Sequence, residues 1–157
     1  MKIICGTGHR PNKLGGYSQE AYDKLLTIAT IALTDTKPDK VISGMALGWD
    51  QALAEAAINL QIPVIAAVPF KGQEGVWTQS SKTKYKNIIN KCSKIVVVCE
   101  GGYSAASMQI RNEWMVNNCN VVVALWDGTN GGTGNCIRYA KTKPVTILNY
   151  WNDFKSL

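Results

Sequence analysis

Short apolar runs alternate with longer segments of helical periodicity along the chain. Six of these runs are rich in valine and isoleucine and show no polar alternation, which is typical of strands that are covered on both faces. The runs span residues 2–5, 40–43, 62–68, 94–99, 120–126 and 143–148. Because glycine or polar residues follow each run, the pattern predicts short buried strands.

Helical spacing of apolar residues fills the intervals between these runs. In the first interval Leu25, Ala29 and Ala32 recur at three- and four-residue spacing, and Ser18 is a suitable N-cap. Further helices are predicted at about residues 50–60, 80–91, 104–118 and 132–142. Strands that alternate with helices indicate right-handed crossovers. We therefore expect one α/β domain over residues 1–157, with a single Rossmann-like, doubly wound, mainly parallel sheet of about six strands and helices on both faces.

The composition is that of an ordinary soluble globular protein, with 46% hydrophobic and 18% charged residues. No apolar run approaches the roughly 20 residues that span a bilayer, and the first residues, MKIICGTGHRP, resemble neither a signal peptide nor an anchor. We therefore expect a cytoplasmic protein without membrane association. The five scattered cysteines and the one histidine fit neither a zinc site nor a disulfide framework, so no metal and no cofactor are predicted.

The net charge of +6 favours acidic partners such as phosphates or nucleic acids. Much of the surplus is lysine in the segment SKTKYKNIINKCSK, which is interpreted as a solvated helix face. Proteins that bind single-stranded DNA usually pair a basic groove with stacking aromatic residues, and this segment contains only Tyr85. DNA binding is therefore the least favoured function, and a nucleic acid partner is not expected.

A glycine-rich stretch, DGTNGGTGN, follows the fifth predicted strand. In an open parallel sheet, ligands bind beyond the carboxyl ends of the strands, where the strand order reverses. Glycines allow a ligand to approach the main chain, and the helix that begins near Thr133 presents free N–H groups and the positive end of its dipole. We therefore predict a phosphate-binding loop here. Its residues are Gly131, Gly132, Thr133 and Gly134.

Other strand ends are expected to reach the same edge of the sheet. His9, the only histidine, follows the first strand and is expected to contact a phosphate or a base, with acid catalysis as an alternative. Arg10 can clamp a phosphate with its planar guanidinium. The segment GTGHRP is not the dinucleotide-binding fingerprint, because Pro11 interrupts it. Smaller phosphate nests are predicted at Gly6, Thr7 and Gly8, and at Ser43 and Gly44.

Three segments in order resemble the SLOG superfamily, most closely its YpsA-like branch. They are TGHRP, SGMALGWDQALAEAA and RNEWMVNNCNVVVALWDGTNGGTGN, and the resemblance extends from Lys2 to about Ile147. It implies a Rossmann-like sheet that binds nucleotides or nucleotide-derived ligands. More distant relatives are the LOG phosphoribohydrolases, which split nucleoside monophosphates into base and ribose phosphate, and the DNA-handling protein DprA.

The LOG pattern is only partly present. The segment MQIRN is similar to the LOG motif that carries a catalytic arginine, and it aligns Arg111 with that residue. The segment NGGTGNCIR keeps the LOG glycines, but the LOG glutamates fall on Ile137 and Arg138. Cleavage of an N-glycosidic bond requires a carboxylate near the ribose. The resemblance therefore implies a protein that senses, carries or sequesters a nucleotide-derived ligand, and the alternative is an N-glycosidase with a relocated carboxylate.

Candidate replacements for the missing glutamates are Asp50, Glu100 and Asp127, each near a strand end. We predict all three as ligand-binding residues, with Asp127 and Arg111 as the catalytic pair of the alternative function. Trp49 is also predicted to bind the ligand, since it or Tyr103 could stack on a base, as aromatic side chains at a binding edge often do. The fourth helix, with Trp114 and Met115, offers a face for possible homo-oligomers.

Overall fold

The computed structural model describes all 157 residues, from Met1 to Leu157. The strands are β1 (Ile3–Gly8), β2 (Lys40–Ser43), β3 (Val64–Val68), β4 (Lys94–Val97), β5 (Val121–Leu125) and β6 (Thr146–Asn149). They form one six-stranded sheet in the order β4-β3-β2-β1-β5-β6, and every neighbouring pair is parallel. The predicted α/β fold with a doubly wound parallel sheet is therefore confirmed.

Six α-helices connect and follow the strands. They are α1 (Gln19–Thr36), α2 (Trp49–Asn59), α3 (Gln79–Ile89), α4 (Ala105–Asn117), α5 (Gly132–Ala140) and α6 (Trp151–Lys155). The predicted N-cap of α1 is confirmed, because the Ser18 hydroxyl accepts a hydrogen bond from the Ala21 amide at 3.1 Å. The short α6 and a 3-10 turn at Pro11–Lys13 were not predicted. None of the helices has both the length and the apolar character needed to cross a membrane.

The sheet separates two hydrophobic cores of unequal size. The larger core has 24 buried residues and lies against α1, α2, α3 and α6, whereas the smaller core has 8 and lies against α4 and α5. Neighbouring residues of β1 point to opposite faces, so Ile4 belongs to the larger core and Cys5 to the smaller one. Helices therefore cover both faces of the sheet, as the apolar character of the strands predicted.

The strand order reverses between β1 and β5. The chain runs outward from β1 through β2 and β3 to β4, and α4 then crosses back so that β5 lies on the other side of β1. The helices that begin at the carboxyl ends of neighbouring strands diverge at such a point and leave a crevice between them. The topology therefore places a candidate binding site beyond the carboxyl ends of β1 and β5.

Two glycines of β1 are required by the packing of α2. A Cβ atom at Gly8 would overlap the Trp49 side chain, and one at Gly6 would overlap Leu53. Trp49 is fully buried, and its indole Nε1 donates a hydrogen bond to the main-chain oxygen of Val123 at 3.3 Å. The helix therefore packs directly on the strand, and both glycines have a structural reason that is independent of any ligand.

Candidate ligand-binding site

A polar cavity of about 500 Å³ lies at the predicted edge of the sheet. Its volume is within the range of small-molecule sites, about 300 to 1,000 Å³. Only 4 of its 22 lining residues are hydrophobic. Its charged side chains are the basic Arg10, Lys13 and Arg111 and the acidic Asp50, so positive charge is in excess. The cavity is thus suited to a polar and negatively charged ligand.

Most of the residues proposed from the sequence line this one cavity. The residues of β1 and its loop come together with those of α5, although more than 100 positions separate them in the chain. Predicted residues that line the cavity are Gly6, Thr7, Gly8, His9, Arg10, Asp50, Arg111, Gly131, Gly132, Thr133 and Gly134. Predicted residues that do not line it are Ser43, Gly44, Trp49, Glu100 and Asp127.

Ser43, Gly44 and Trp49 were predicted as ligand contacts, but they are buried behind the cavity wall and do not line the cavity. The Ser43 hydroxyl donates to the main-chain oxygen of Asp50 at 2.7 Å and accepts from the Met45 amide at 3.1 Å. A Cβ atom at Gly44 would overlap the Arg111 guanidinium. Trp49 is sequestered between α2 and the sheet. All three residues therefore contribute to the packing behind the cavity wall.

The two other predicted residues that do not line the cavity are carboxylates. Glu100 is exposed and lies outside the cavity. Asp127 also lies outside it and accepts hydrogen bonds from the main-chain amide of Thr129 at 3.0 Å and from the Thr129 hydroxyl. These hydrogen bonds, led by that of the hydroxyl, hold the pKa of Asp127 well below its usual range. Asp127 therefore remains ionised and organises the loop before α5.

His9 connects the β1 loop to the β5 loop through Asp127. Its Nε2 atom lies 2.8 Å from Asp127 Oδ1 and 3.1 Å from the Asp127 main-chain nitrogen. A protonated Nε2 donates to the carboxylate, whereas an unprotonated Nε2 accepts from the amide, so the tautomer decides which hydrogen bond forms. The edge of Trp151 packs on the imidazole with the ring centroids 5.9 Å apart. His9 is thus held rigidly at the cavity wall.

We expect the imidazole of His9 to titrate below the usual histidine pKa of about 6.5. Burial lowers the pKa of His9, and the hydrogen bond and charge of Asp127 oppose this effect only in part. The neutral ring is therefore the stable form at neutral pH, and folding stability falls as the pH drops below about 6.5. Because the chain has one histidine, its imidazole NMR signals give the pKa without assignment.

The variant Asp127→Asn tests whether Asp127 raises the pKa of His9 against the effect of burial. Removal of the carboxylate eliminates the interaction that raises the pKa of His9, so the pKa should fall further than in the unmodified protein. An Asp153→Asn variant, which alters an exposed aspartate of α6, serves as the control. A His9 pKa that rises in Asp127→Asn would contradict the arrangement described here.

Arg111 forms part of the cavity floor. The residue is only 4% exposed, and Nη1 donates to the main-chain oxygens of Gly44 at 2.6 Å and Ala67 at 3.3 Å. Nε donates to Oδ1 of Asn112 at 3.0 Å. Nη2 makes no hydrogen bond within the protein, and the residue lines the cavity. A buried guanidinium therefore has donors left for an anionic or carbonyl group of a ligand.

Asp50 is the only carboxylate on the cavity wall. It is 6% exposed, and its side chain accepts just one long hydrogen bond, from the Ala46 amide at 3.4 Å. Burial raises the pKa of Asp50, and the positive charge of Arg111 partly counteracts this effect. Because a buried carboxylate needs hydrogen-bond donors, its free acceptor positions are suited to hydroxyl groups of a ligand.

The start of α5 presents main-chain amides to the cavity. The N-cap Gly131 has φ 144°, which favours glycine, and no side chain caps the helix. The amides of Gly132, Thr133 and Gly134 donate to no acceptor in the protein, and the first helical hydrogen bond runs from Asn135 to Gly131 at 2.8 Å. Such an uncapped start, with the positive end of the helix dipole, is a common binding geometry for anions.

Several cavity residues were missed as ligand contacts. They lie in the polar segment after Arg10, on α4 and in the loops beside α2 and α5, where the sequence carried no recognised motif apart from Arg111 and the glycines. Helical spacing was a signal for one of them, because Met108 is three residues before Arg111 and shares its face. The missed residues are Asn12, Lys13, Ala46, Ala105, Met108, Gln109, Asn112, Thr129, Asn130 and Asn135, and Tyr103 was proposed only as a stacking alternative to Trp49.

The fold and the cavity define a class of protein: a Rossmann-like α/β domain with a polar, positively charged crevice at the point where the strand order reverses. The YpsA family, described as the YspA SLOG family, matches residues 4–149. The chain belongs to this family. It is also 37% identical over 135 residues to the SPbeta prophage-derived protein YoqJ of Bacillus subtilis, covering 76% of this chain and 79% of that protein.

Solved structures of two DNA processing proteins share the fold. DprA from Streptococcus pneumoniae superimposes with a TM-score of 0.69 at 16% identity, over 94% of this chain and 50% of that one. DprA from Helicobacter pylori, whose structure concerns its binding of single-stranded DNA, gives a TM-score of 0.66 at 18% identity, over 94% of this chain and 64% of that one. At these identities the likeness establishes the architecture alone.

Proposed function

We propose that the protein binds a nucleotide or a nucleotide-derived small molecule, with a phosphate group at the start of α5. The observation that carries this proposal is the set of three unsatisfied amides, Gly132, Thr133 and Gly134, on the wall of a cavity that also contains Arg10 and Lys13. Helix dipole, amide donors and basic side chains all favour an anion at this place. Membership of the SLOG superfamily supports the same class of ligand.

Asp50 gives the cavity a second, chemically different contact. A carboxylate repels a phosphate but accepts hydrogen bonds from the hydroxyl groups of a ribose. Acidic residues have this role toward ribose in other Rossmann-like sites. A ligand that carries both a phosphate and a sugar therefore satisfies the cavity better than inorganic phosphate does, and we expect it to bind more tightly.

Isothermal calorimetry with AMP, ADP-ribose, NAD, a cyclic nucleotide, ribose 5-phosphate and inorganic phosphate tests the proposal. We expect micromolar binding of at least one nucleotide. Arg10→Gln should weaken this binding by roughly 10-fold, because a hydrogen bond to a charged group contributes about 1.5 to 3 kcal/mol. Lys86→Gln, which removes the same charge from the exposed face of α3, is the matched control. Failure of every compound to bind would refute the proposal.

A nucleotide N-glycosidase is the second candidate function, favoured by one observation. Asp50 is a cavity carboxylate whose pKa burial raises, and such a group can serve as a general acid or base. The positions of the LOG glutamates cannot serve, because Ile137 is buried and Arg138, which donates to Asn130 and Asn135, has no carboxylate and does not line the cavity. Chromatography for free base after incubation with nucleoside monophosphates tests this function. Turnover that survives Asp50→Asn would exclude our assignment of the carboxylate.

Neither DNA binding, the least favoured function, nor the oligomer face expected on α4 forms part of this proposal. The one aromatic residue of the lysine-rich α3, Tyr85, is 5% exposed and cannot stack on a DNA base. On α4, Met115 is buried and Trp114 is half-buried against the smaller core, so neither side chain is fully exposed for a contact between subunits. We therefore propose a small-molecule ligand and not a nucleic acid as the partner.

A further inference from the structure

The cavity has two walls of different chemistry, and the wall formed by α4 and the preceding loop differs from the phosphate wall. Tyr103, Ala105 and Met108 are three of the four hydrophobic residues that line the cavity. Gln109 and Asn112 lie beside them, with amide side chains that carry no charge. A nucleobase has apolar faces and a polar edge, so this wall matches its chemistry. The inference that follows rests on the proposed function.

Charged neighbours fix the orientation of both amides. The Nε of Arg111 can only donate, so its partner at 3.0 Å is the oxygen of Asn112, and the Nδ2 amine of Asn112 remains available as a donor. Glu113 accepts a hydrogen bond at 3.0 Å from Nε2 of Gln109, which leaves the Oε1 atom of Gln109 as a free acceptor. Gln109 and Asn112 are three residues apart and share a helix face. The wall therefore offers one acceptor beside one donor.

We propose that α4 reads the nucleobase of the ligand and selects bases that carry an amino group beside an unprotonated ring nitrogen. Adenine and cytosine have this edge: their amino group donates to Gln109, and their ring nitrogen accepts from Asn112. Hypoxanthine and uracil, in the same orientation, present a carbonyl oxygen and an N–H group, so both hydrogen bonds are lost. Glu113 acts as a positioning residue, since it touches Gln109 and not the ligand.

Tyr103 completes the base site as a stacking surface. Its side chain is 73% exposed, and its ring makes a T-shaped contact with Phe70 with the centroids 6.3 Å apart, which leaves at least one face of the ring free. Stacking of a base on an aromatic ring contributes about 1 to 3 kcal/mol and depends little on the identity of the base. Tyr103 therefore adds affinity, whereas the two amides add selectivity.

Calorimetry with two matched pairs of nucleotides tests the selectivity, because AMP and IMP, and likewise CMP and UMP, differ by the replacement of an amino group with a carbonyl. We expect the amino member to bind about 5- to 100-fold more tightly, the range for discrimination by a good pair of hydrogen bonds to a base. The inference is overturned if neither pair shows this preference or if either carbonyl member binds more tightly.

Variants of α4 distinguish a loss of selectivity between bases from a general loss of ligand affinity. Asn112→Asp converts the free donor into an acceptor and keeps the contact with Arg111, so the ratio of AMP to IMP affinity should fall to about one. Glu113→Gln frees the orientation of Gln109 and should lower the ratio without touching the ligand. Asn118→Asp introduces the same charge at the exposed end of α4 and should leave the ratio unchanged. An unchanged ratio in both Asn112→Asp and Glu113→Gln contradicts the inference.

Ribose 5-phosphate lacks a base, so its binding distinguishes a failure of the base-selectivity inference from a failure of the proposed function. If it binds while AMP and IMP bind equally, the base-reading inference fails and the proposed function stands. If neither it nor any nucleotide binds to the folded protein, the proposed function fails first. Circular dichroism of each variant establishes that the fold is intact. If Asn112→Asp does not fold, Glu113→Gln provides the test, because Glu113 lies at a half-buried surface position.

Discussion

Replacement of Arg111 by methionine is expected to destabilise the protein by about 2 kcal/mol, since a buried acceptor that loses its donor costs about 1 to 3 kcal/mol. The main-chain oxygen of Ala67 loses its hydrogen bond from Nη1, whereas that of Gly44 keeps one from Nε2 of Gln73 at 3.3 Å. Methionine occupies a similar length but has no donor. The loss should appear as a lower midpoint in urea unfolding.

The same variant should also bind a nucleotide about 10- to 100-fold more weakly, because the free Nη2 donors contribute about 1.5 to 3 kcal/mol to a charged group. Arg111→Lys separates charge from geometry, since lysine retains the positive charge but cannot donate along both directions of the guanidinium. Lys86→Met, on the exposed face of α3, is the control for loss of one charge. If Arg111→Met is as stable as the control, Arg111 does not support the floor of the cavity.

The apolar pattern was sufficient for the sheet because the four central strands, β1, β2, β3 and β5, are mostly buried. The edge strands β4 and β6 have the same apolar character but are largely exposed, so the prediction that they are buried was wrong. Unbroken valine and isoleucine runs have no other common structural explanation when helical segments separate them. The predicted boundaries were less accurate near prolines: the third run begins at Ile62 but β3 begins at Val64, and the sixth run includes Pro144 but β6 begins at Thr146. Proline cannot donate to the ladder, which shortens a strand beside it.

The short α6 was missed for a different reason. It has only five residues, Trp151–Lys155, too few for a helical period to be recognised. Tertiary packing stabilises it, because Phe154 belongs to the larger core and Trp151 packs on His9. A helix that exists because of contacts far along the chain leaves little local signal.

The cavity contains the predicted residues that a general rule places there, and it lacks those whose position is decided by packing. The rule that ligands bind at the carboxyl ends of parallel strands brought Thr7 and Gly132 to one cavity. Gly44 follows a buried strand in the same way, yet its missing side chain makes room for Arg111, 67 positions away. Asp127 likewise binds His9, 118 positions away. Glycine and aspartate at a strand end look the same in sequence whether they face a ligand or another side chain.

Asp50 illustrates a conflict between stability and binding. Burial disfavours its ionised form, and the positive charge of Arg111 only partly offsets this penalty. Asp50→Asn removes the charge with almost no change in shape, so at neutral pH the variant should be more stable by about 1 kcal/mol, as is common when a strained functional group is neutralised. Thermal unfolding of the two proteins at several pH values measures the difference.

The dependence on pH has a defined sign. A carboxyl group whose folded pKa is raised carries its full penalty above that pKa, and the penalty disappears as the pH falls toward the unfolded value of about 3.9. The stability gain of Asp50→Asn should therefore be largest at neutral pH and vanish near pH 4, whereas Asp153→Asn, at an exposed position, should differ from the unmodified protein by less than about 0.5 kcal/mol throughout.

The Asp50→Asn substitution should affect the binding of two ligands differently. Inorganic phosphate should bind more tightly, because a negative charge has been removed from the cavity wall. Ribose 5-phosphate should gain less or lose affinity, since the amide accepts hydroxyl groups less well than the carboxylate. If the variant is less stable at neutral pH, or if both ligands gain equally, Asp50 is a structural carboxylate and does not contact a sugar.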